Sequence, residues 1–117
     1  MKIGDIHWIQ LPATNMHEQA GHRPAIIIQD ETYAGNLPVV LVVPLTTVSS
    51  ALRFAGTFLI NPTASNGLKQ ASVALVFQLR AVDRGRIEDK IGTVSDEVML
   101  KIFATLDKLL GRLKLLS

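Results

Sequence analysis

The 117-residue sequence contains no cysteine, which excludes disulfide bonds, thiolate zinc sites, iron–sulfur clusters and cysteine nucleophiles together. Aromatic residues make up only 5% of the chain, too few for the base-stacking platforms of many RNA-binding domains. The formal net charge of +2 is too small for a protein that coats nucleic acid. The absence of cysteine permits a reducing compartment. The small net charge means that any function must come from a local site.

Long hydrophobic runs are also missing. The longest, residues 39–43 (VVLVV), is far too short to span a membrane, and Asp5, His7 and Gln10 interrupt any apolar segment of a signal peptide. At 48% hydrophobic residues, the chain can nevertheless fill one core. We expect residues 1–117 to form a single domain of a soluble, cytoplasmic protein without a membrane partner.

Short stretches rich in Val and Ile, separated by Gly, Pro, Asn or Ser, predict β-strands. The second and third stretches are apolar at nearly every position, which is typical of strands buried on both faces. The connections are too short for crossover helices, so the sheet should be mostly antiparallel. The five predicted strands are residues 4–11, 23–29, 38–44, 53–60 and 72–78.

The C-terminal segment follows a helical period instead. Ser95 is a candidate N-cap, Asp96 and Glu97 complement the helix dipole, and Gly111 can end the helix. The expected fold is mainly β, a small, strongly curved antiparallel barrel with one C-terminal helix. The apolar stripe of that helix comprises Val98, Ile102, Phe103, Leu106, Leu109, Leu110 and Leu113.

The most unusual polar segment is residues 17–24 (HEQAGHRP), which leads directly into the second strand. Pro24 restricts Arg23 to an extended conformation, so the guanidinium projects from a restrained backbone. A plain connecting loop with Arg23 in a surface ion pair fits the same spacing. His17, His22 and Glu18 are metal-ligand types, but their spacing matches no standard motif, so neither a metal nor a cofactor is expected.

Two further polar clusters follow buried strands. Thr46 and Thr47 would emerge at the rim of the barrel, although an ordinary strand-end turn gives the same pattern. Residues 78–86 (QLRAVDRGR) contain three arginines that could bind phosphates, or a solvated loop in which Asp83 pairs with its neighbours. Trp8, in the first strand, is expected to lie in the core.

In their order and spacing these segments resemble the MazF/PemK (Kid) family of toxin endoribonucleases. The resemblance begins at residues 4–8 (GDIHW) and is most specific at residues 17–25 (HEQAGHRPA). It extends through residues 43–47 (VPLTT), 53–56 (RFAG), 67–69 (GLK) and 72–83, and covers essentially the whole chain.

The family resemblance implies an SH3-like or CcdB-type barrel that acts as a homodimer. It further implies cleavage of single-stranded RNA without a metal, leaving a 2′,3′-cyclic phosphate or 3′-phosphate and a 5′-OH. A small cognate antitoxin, whose partly disordered tail occupies the RNA groove, is the implied protein partner.

The resemblance also assigns roles to residues. Arg23 would clamp the charge on the scissile phosphate, Thr46 would donate its hydroxyl to that phosphate, and Glu18 or His17 would accept the proton of the 2′-OH. The residues expected to contact RNA are Gln19, His22, Thr47, Arg53, Lys69, Gln78, Arg80 and Arg84.

One position departs from the family pattern. Kid-like and several MazF-like members carry an acidic residue just before the glutamine of the third segment, where this chain has Phe77 before Gln78. A mechanism that uses that carboxylate as its base cannot operate here. Two alternatives therefore stay open: a non-catalytic CcdB-like topoisomerase inhibitor, although the chain ends in KLLS rather than Trp-Gly-Ile, and an inactive barrel that binds antitoxin or RNA.

Overall fold

A computed structural model describes residues 1–12 and 21–116. In that part of the chain seven strands form an antiparallel sheet in the order β4-β5-β3-β2-β1-β7, with β6 paired to β3. The mainly β class with a C-terminal helix is confirmed. The strands are β1 (Asp5–Leu11), β2 (Gly21–Ile27), β3 (Val39–Thr46), β4 (Thr57–Ile60), β5 (Ser72–Leu75), β6 (Arg80–Asp83) and β7 (Ile87–Thr93), and the α-helices are α1 (Glu31–Ala34) and α2 (Asp96–Leu110).

The five predicted strands are all present, but the last two are shorter than expected. The predicted strand 53–60 begins only at Thr57, because Ser49–Arg53 forms a 3₁₀ turn, and Val76–Gln78 forms another after β5. The sequence did not predict β6 and β7. Only one residue of β6 and none of β7 is fully buried, and both strands lack the apolar runs by which the other strands were recognised.

The core lies on both faces of β2 and β3, as their unbroken apolar runs predict. Alternate residues of each strand face opposite sides of the sheet. Ile26 and Val43 belong to one buried cluster, which α2 covers, whereas Ile27 and Val42 belong to a second.

The sheet does not close by strand pairing between its two end strands, β4 and β7, in the described part of the chain. The β4–β5 loop joins the two edges instead, since the Thr93 amide donates to the Ser65 carbonyl at 2.9 Å. Asn66, only 3% exposed, organises this loop: its Oδ1 accepts from the Thr63 and Leu68 amides, and its Nδ2 donates to the Asn61 carbonyl. The architecture is therefore an open barrel completed by a loop.

Gly67, at the tip of this loop, is expected to tolerate no side chain. It adopts φ +66°, and a Cβ there would lie 2.3 Å from the Ile91 carbonyl oxygen of β7. Gly67→Ala should lower the free energy of unfolding by about 1–3 kcal/mol, measured by urea denaturation. Gly111→Ala is the matched control, because Gly111 has φ +64° but its nearest atom is 3.9 Å away. Equal losses in the two variants would contradict the steric explanation.

Helix α2 has the predicted caps. The Ser95 hydroxyl accepts from the Val98 amide, and Gly111 ends the helix with φ 64°. Ile102 is fully buried, and Val98 and Leu106 pack beside it. Much of the predicted stripe is uncovered, however: Phe103, Leu109, Leu110 and Leu113 are each at least 40% exposed. None of the described helices is long and apolar enough to cross a bilayer.

A buried carboxylate ties β1 to β7. Asp5 accepts hydrogen bonds from the Lys2 amide and the Thr93 hydroxyl, both at 2.9 Å, and Lys90 Nζ lies 3.4 Å away. Burial opposes ionisation, but these three partners outweigh it and hold the pKa of the Asp5 carboxyl below its ordinary value of 3.8.

Because the pKa of Asp5 is lowered in the folded state, part of the free energy of unfolding depends on pH. The unfolded chain binds this proton more readily, so the contribution is present above pH 3.8 and is lost as the pH falls through the folded-state value. Asp5→Asn should cost about 1–3 kcal/mol at pH 7, and urea denaturation should show the gap between wild type and variant narrowing toward pH 3. A gap that is constant with pH would contradict this role.

Candidate active site

The pairing between β2 and β3 ends at a proline, and the two strands separate there. The strands pair only from Ala25 opposite Pro44 to Ile27 opposite Val42. The Ile28 amide donates to the Leu41 carbonyl of β3, so the amide position of Pro24, in the same phase of β2, also faces β3 but carries no hydrogen to extend the ladder. In the same register two residues further on, Arg23 stands across from Thr46, and β3 pairs at that end with β5 instead. The two strands therefore separate next to Arg23 and Thr46, which lie just beyond the last paired residues.

Arg23 and Thr46 line one cavity of about 210 Å³. Arg23 is half-buried, and Thr46 is only 5% exposed. Thr46 Oγ1 accepts the Val48 amide at 3.2 Å, so the side chain is held in place while its own O–H remains a donor. The lining consists of Trp8, His22, Arg23, Pro24, Leu45, Thr46, Thr47 and Ser72.

A second cavity of about 530 Å³ adjoins the first. The two share Trp8, Pro24, Thr47 and Ser72, so they form one groove. The larger cavity adds Lys69, as the sequence predicts, and Lys90, which the sequence analysis missed. Lys90 Nζ lies 3.4 Å from the Asp5 carboxylate, and Asp89 also lines this cavity, so Lys69 is the residue there best suited to contact an anionic chain.

Trp8 is not a core residue, and the sequence-based prediction for it is wrong. It is 37% exposed and lines both cavities. Trp8 lies on the same face of β1 as the fully buried Ile6, but farther along the strand, where that face lines the cavities instead of the core. Its ring stacks on the imidazole of His22, with centroids 4.6 Å apart and planes at 10°.

The structure brings together four of the predicted site residues. Arg23, Thr46, Thr47 and His22 share the smaller cavity, and Lys69 lies in the adjoining one.

Other predicted site residues lie elsewhere, since Arg53, Gln78 and Arg80 line neither cavity. Arg53 is exposed, with its guanidinium 4.8 Å from the Phe54 ring centroid. Arg80 is half-buried on β6 opposite Val42. His17, Glu18 and Gln19 lie outside the described residues.

Arg84 has a structural environment rather than a place in the groove. Its Nη1 donates to both carboxylate oxygens of Glu31, at 3.1 and 3.2 Å, and its Nε donates to the Leu37 carbonyl. It sits beside the start of β3, whereas Thr46 ends that strand, a separation of roughly 25 Å along the strand. The predicted RNA contact at Arg84 therefore lacks geometric support.

Phe77 occupies an apolar patch. Its ring lies 5.6 Å from that of Phe54, and its amide donates to the Gly56 carbonyl at 3.2 Å. A phenylalanine side chain cannot accept a proton, so the base of any reaction must be another residue.

Comparison with known proteins identifies the family. Residues 2–110 match the family described as PemK-like, MazF-like toxin of type II toxin-antitoxin system. The chain belongs to this family. This family member is 33% identical over 110 residues to the endoribonuclease toxin MazF of Escherichia coli K12, covering 93% of both chains. The match does not favour the CcdB-like alternative.

Solved structures agree with the fold of this MazF/PemK-type toxin. MazF of Deinococcus radiodurans superposes with a TM-score of 0.78 at 25% identity, over 95% of this chain and 96% of that one. A MazE–MazF crystal structure from the same organism superposes with a TM-score of 0.71 at 25% identity and the same coverage.

Proposed function

We propose that this toxin is an endoribonuclease that cleaves single-stranded RNA, at specific sequences, in the groove containing Arg23 and Thr46. The observation that carries the proposal is their convergence: a guanidinium and a buried, fixed hydroxyl line one small cavity at the point where the sheet opens. The endoribonuclease name of the E. coli relative, which matches 93% of this chain, supports the same reaction.

The proposed reaction uses the nucleophile that RNA itself carries. The 2′-oxygen attacks the adjacent phosphorus, its proton passes to a base, and the bond from phosphorus to the 5′-oxygen breaks. Arg23 offers forked donors to the two non-bridging oxygens, and Thr46 donates its hydroxyl to one of them. Such donors stabilise the extra negative charge of the transition state, which is commonly the largest catalytic contribution. The products are a 2′,3′-cyclic phosphate, or the 3′-phosphate after hydrolysis, and a 5′-OH.

The proton acceptor is the open role. The family resemblance gives it to Glu18 or His17, which lie outside the described residues. Lys69 in the larger cavity would contact phosphates along the groove, together with Thr47 near the cleaved linkage. No step of this mechanism assigns a role to a metal or cofactor.

Two protein partners belong to the proposal. A cognate antitoxin would bind this chain, as the MazE–MazF structure of the Deinococcus relative suggests. A second copy of the chain would form a homodimer, which the exposed apolar residues Phe103, Leu110 and Leu113 support. A cytoplasmic location fits the absence of cysteine and a messenger RNA substrate.

Incubation of the purified protein with a mixed pool of RNA in EDTA tests this function. We expect cleavage at a short recurring sequence, with 5′-OH ends, and sequencing of the fragments would give the recognised word. Intact RNA together with inhibition of DNA gyrase supercoiling would instead indicate a topoisomerase inhibitor. Intact RNA with active gyrase would indicate a barrel that only binds antitoxin or RNA.

A further inference from the structure

The His22 imidazole is held by two contacts at the edge of the cavity. Its Nε2 lies 2.6 Å from Glu88 Oε1, and its ring stacks on Trp8. Because a carboxylate accepts hydrogen bonds, the neutral imidazole carries its hydrogen on Nε2. Nδ1 is then the nitrogen that keeps a lone pair and can accept a proton.

Glu88 reaches His22 from a bulge in β7. The β1–β7 register pairs His7 with Lys90 and Ile9 with Ile87. Two residues of β7, Glu88 and Asp89, therefore oppose the single residue that lies between His7 and Ile9 on β1. Bulges redirect side chains and occur often beside active sites. The Glu88 backbone is fixed as well, because Nδ1 of the buried His7 donates to its carbonyl at 2.7 Å.

The other described charged residues around His22 are of both signs, and they include Asp89, which follows Glu88 on β7 and lines the adjoining cavity. Arg23 is its neighbour on β2, and Arg86 Nη1 donates at 3.4 Å to the carbonyl of Gln10, the register partner of His22. Glu88 is the carboxylate in direct contact with the imidazole. A positively charged intermediate at His22 is therefore stabilised by one specific side chain.

We infer that His22 accepts the proton of the attacking 2′-OH and that Glu88 is the positioning residue that holds its tautomer. The inference rests on the proposed function and supplies the base that Phe77 cannot. As the 2′-oxygen–phosphorus bond forms, the 2′-OH proton moves to His22 Nδ1. As the bond to the 5′-oxygen breaks, that oxygen takes a proton from water, and the imidazolium later releases its proton to solvent.

Cleavage of an oligonucleotide containing the mapped site, measured from pH 5 to 9, tests the assignment. His22→Gln should lower kcat/KM by about 10²–10³-fold, because glutamine cannot take up a proton. Glu88→Gln should lower it by about tenfold. The double variant should be no slower than His22→Gln alone, since Glu88 acts through His22. Glu97→Gln, an exposed residue on α2, is the matched control and should match wild type.

The pH profile separates a proton-transfer role from a structural one. In wild type kcat/KM should fall at acid pH as His22 becomes protonated. That limb should be absent in His22→Gln. Nitrogen-15 NMR of the imidazole provides a readout without RNA: neutral His22 should show a protonated Nε2 and a bare Nδ1.

Several outcomes would overturn the assignment. They are full activity in His22→Gln, an unchanged acid limb in that variant despite slower cleavage, additive losses in the double variant, or a hydrogen on Nδ1 in the neutral ring. If the wild-type protein still cleaves RNA, any of these outcomes contradicts the assignment of His22 but not the proposed function. Failure of the wild-type protein to cleave RNA would sink both.

Discussion

Arg23→Ala is expected to lower kcat/KM for RNA cleavage by about 10²–10³-fold while the protein stays folded, the usual cost of losing one preorganised donor to a charged transition state. The guanidinium is half-buried and lies in the same small cavity as the fixed Thr46 hydroxyl, so no exposed group can replace it. Single-turnover cleavage of the mapped oligonucleotide, with circular dichroism of both proteins, measures the effect.

Two further variants sharpen this prediction. Arg23→Lys keeps the charge but loses the forked pair of donors, and we expect most of the activity to be lost with it. Arg112→Ala removes an exposed arginine that pairs with Asp107 beyond the groove, and it should cleave like wild type. Full-speed cleavage by a folded Arg23→Ala protein would remove the basis for placing the reaction in this cavity.

Ile102→Ala should lower the free energy of unfolding by about 2–5 kcal/mol, because truncating a fully buried Ile removes apolar contacts and leaves a cavity. Ile102 anchors α2 to the cluster that contains Ile26 and Val43 of the two central strands. The same strands carry Arg23 and Thr46 of the groove. Urea denaturation monitored by circular dichroism gives the change.

Leu100→Ala is the control on the same helix. Leu100 is 68% exposed, so its truncation should cost less than about 0.5 kcal/mol. If the two variants lost equal stability, α2 would not be attached to the sheet through the face that contains Ile102.

The sequence predicts the central strands and the helix because burial leaves a clear pattern there. Ile26 and Val43 lie in apolar runs, and Ser95 and Gly111 cap α2 with the residue types that such positions favour. The edge strands β6 and β7 carry mixed polar residues and are recognisable only once β3 and β1 are in place to pair with them. The loop closure at Asn66 likewise depends on contacts distant in sequence.

The candidate site was partly predictable. Arg23 and Thr46 follow from the family motifs, and both line one cavity beyond the last paired residues of β2 and β3. Glu88 could not have been found from sequence, because a bulge and the distant His22 give it its environment. Trp8 could not either, because Ile6 lies on the same face of β1 and is fully buried, so strand phase alone does not separate the two.

An oligonucleotide with a single 2′-deoxy substitution at the cleaved nucleotide tests attack by the RNA's own hydroxyl in this groove most directly. Wild-type protein in EDTA should leave that linkage intact, while cutting the all-ribose control to a 2′,3′-cyclic phosphate and a 5′-OH, identified by mass spectrometry. Cleavage of the deoxy linkage, or products with a 5′-phosphate, would contradict the mechanism.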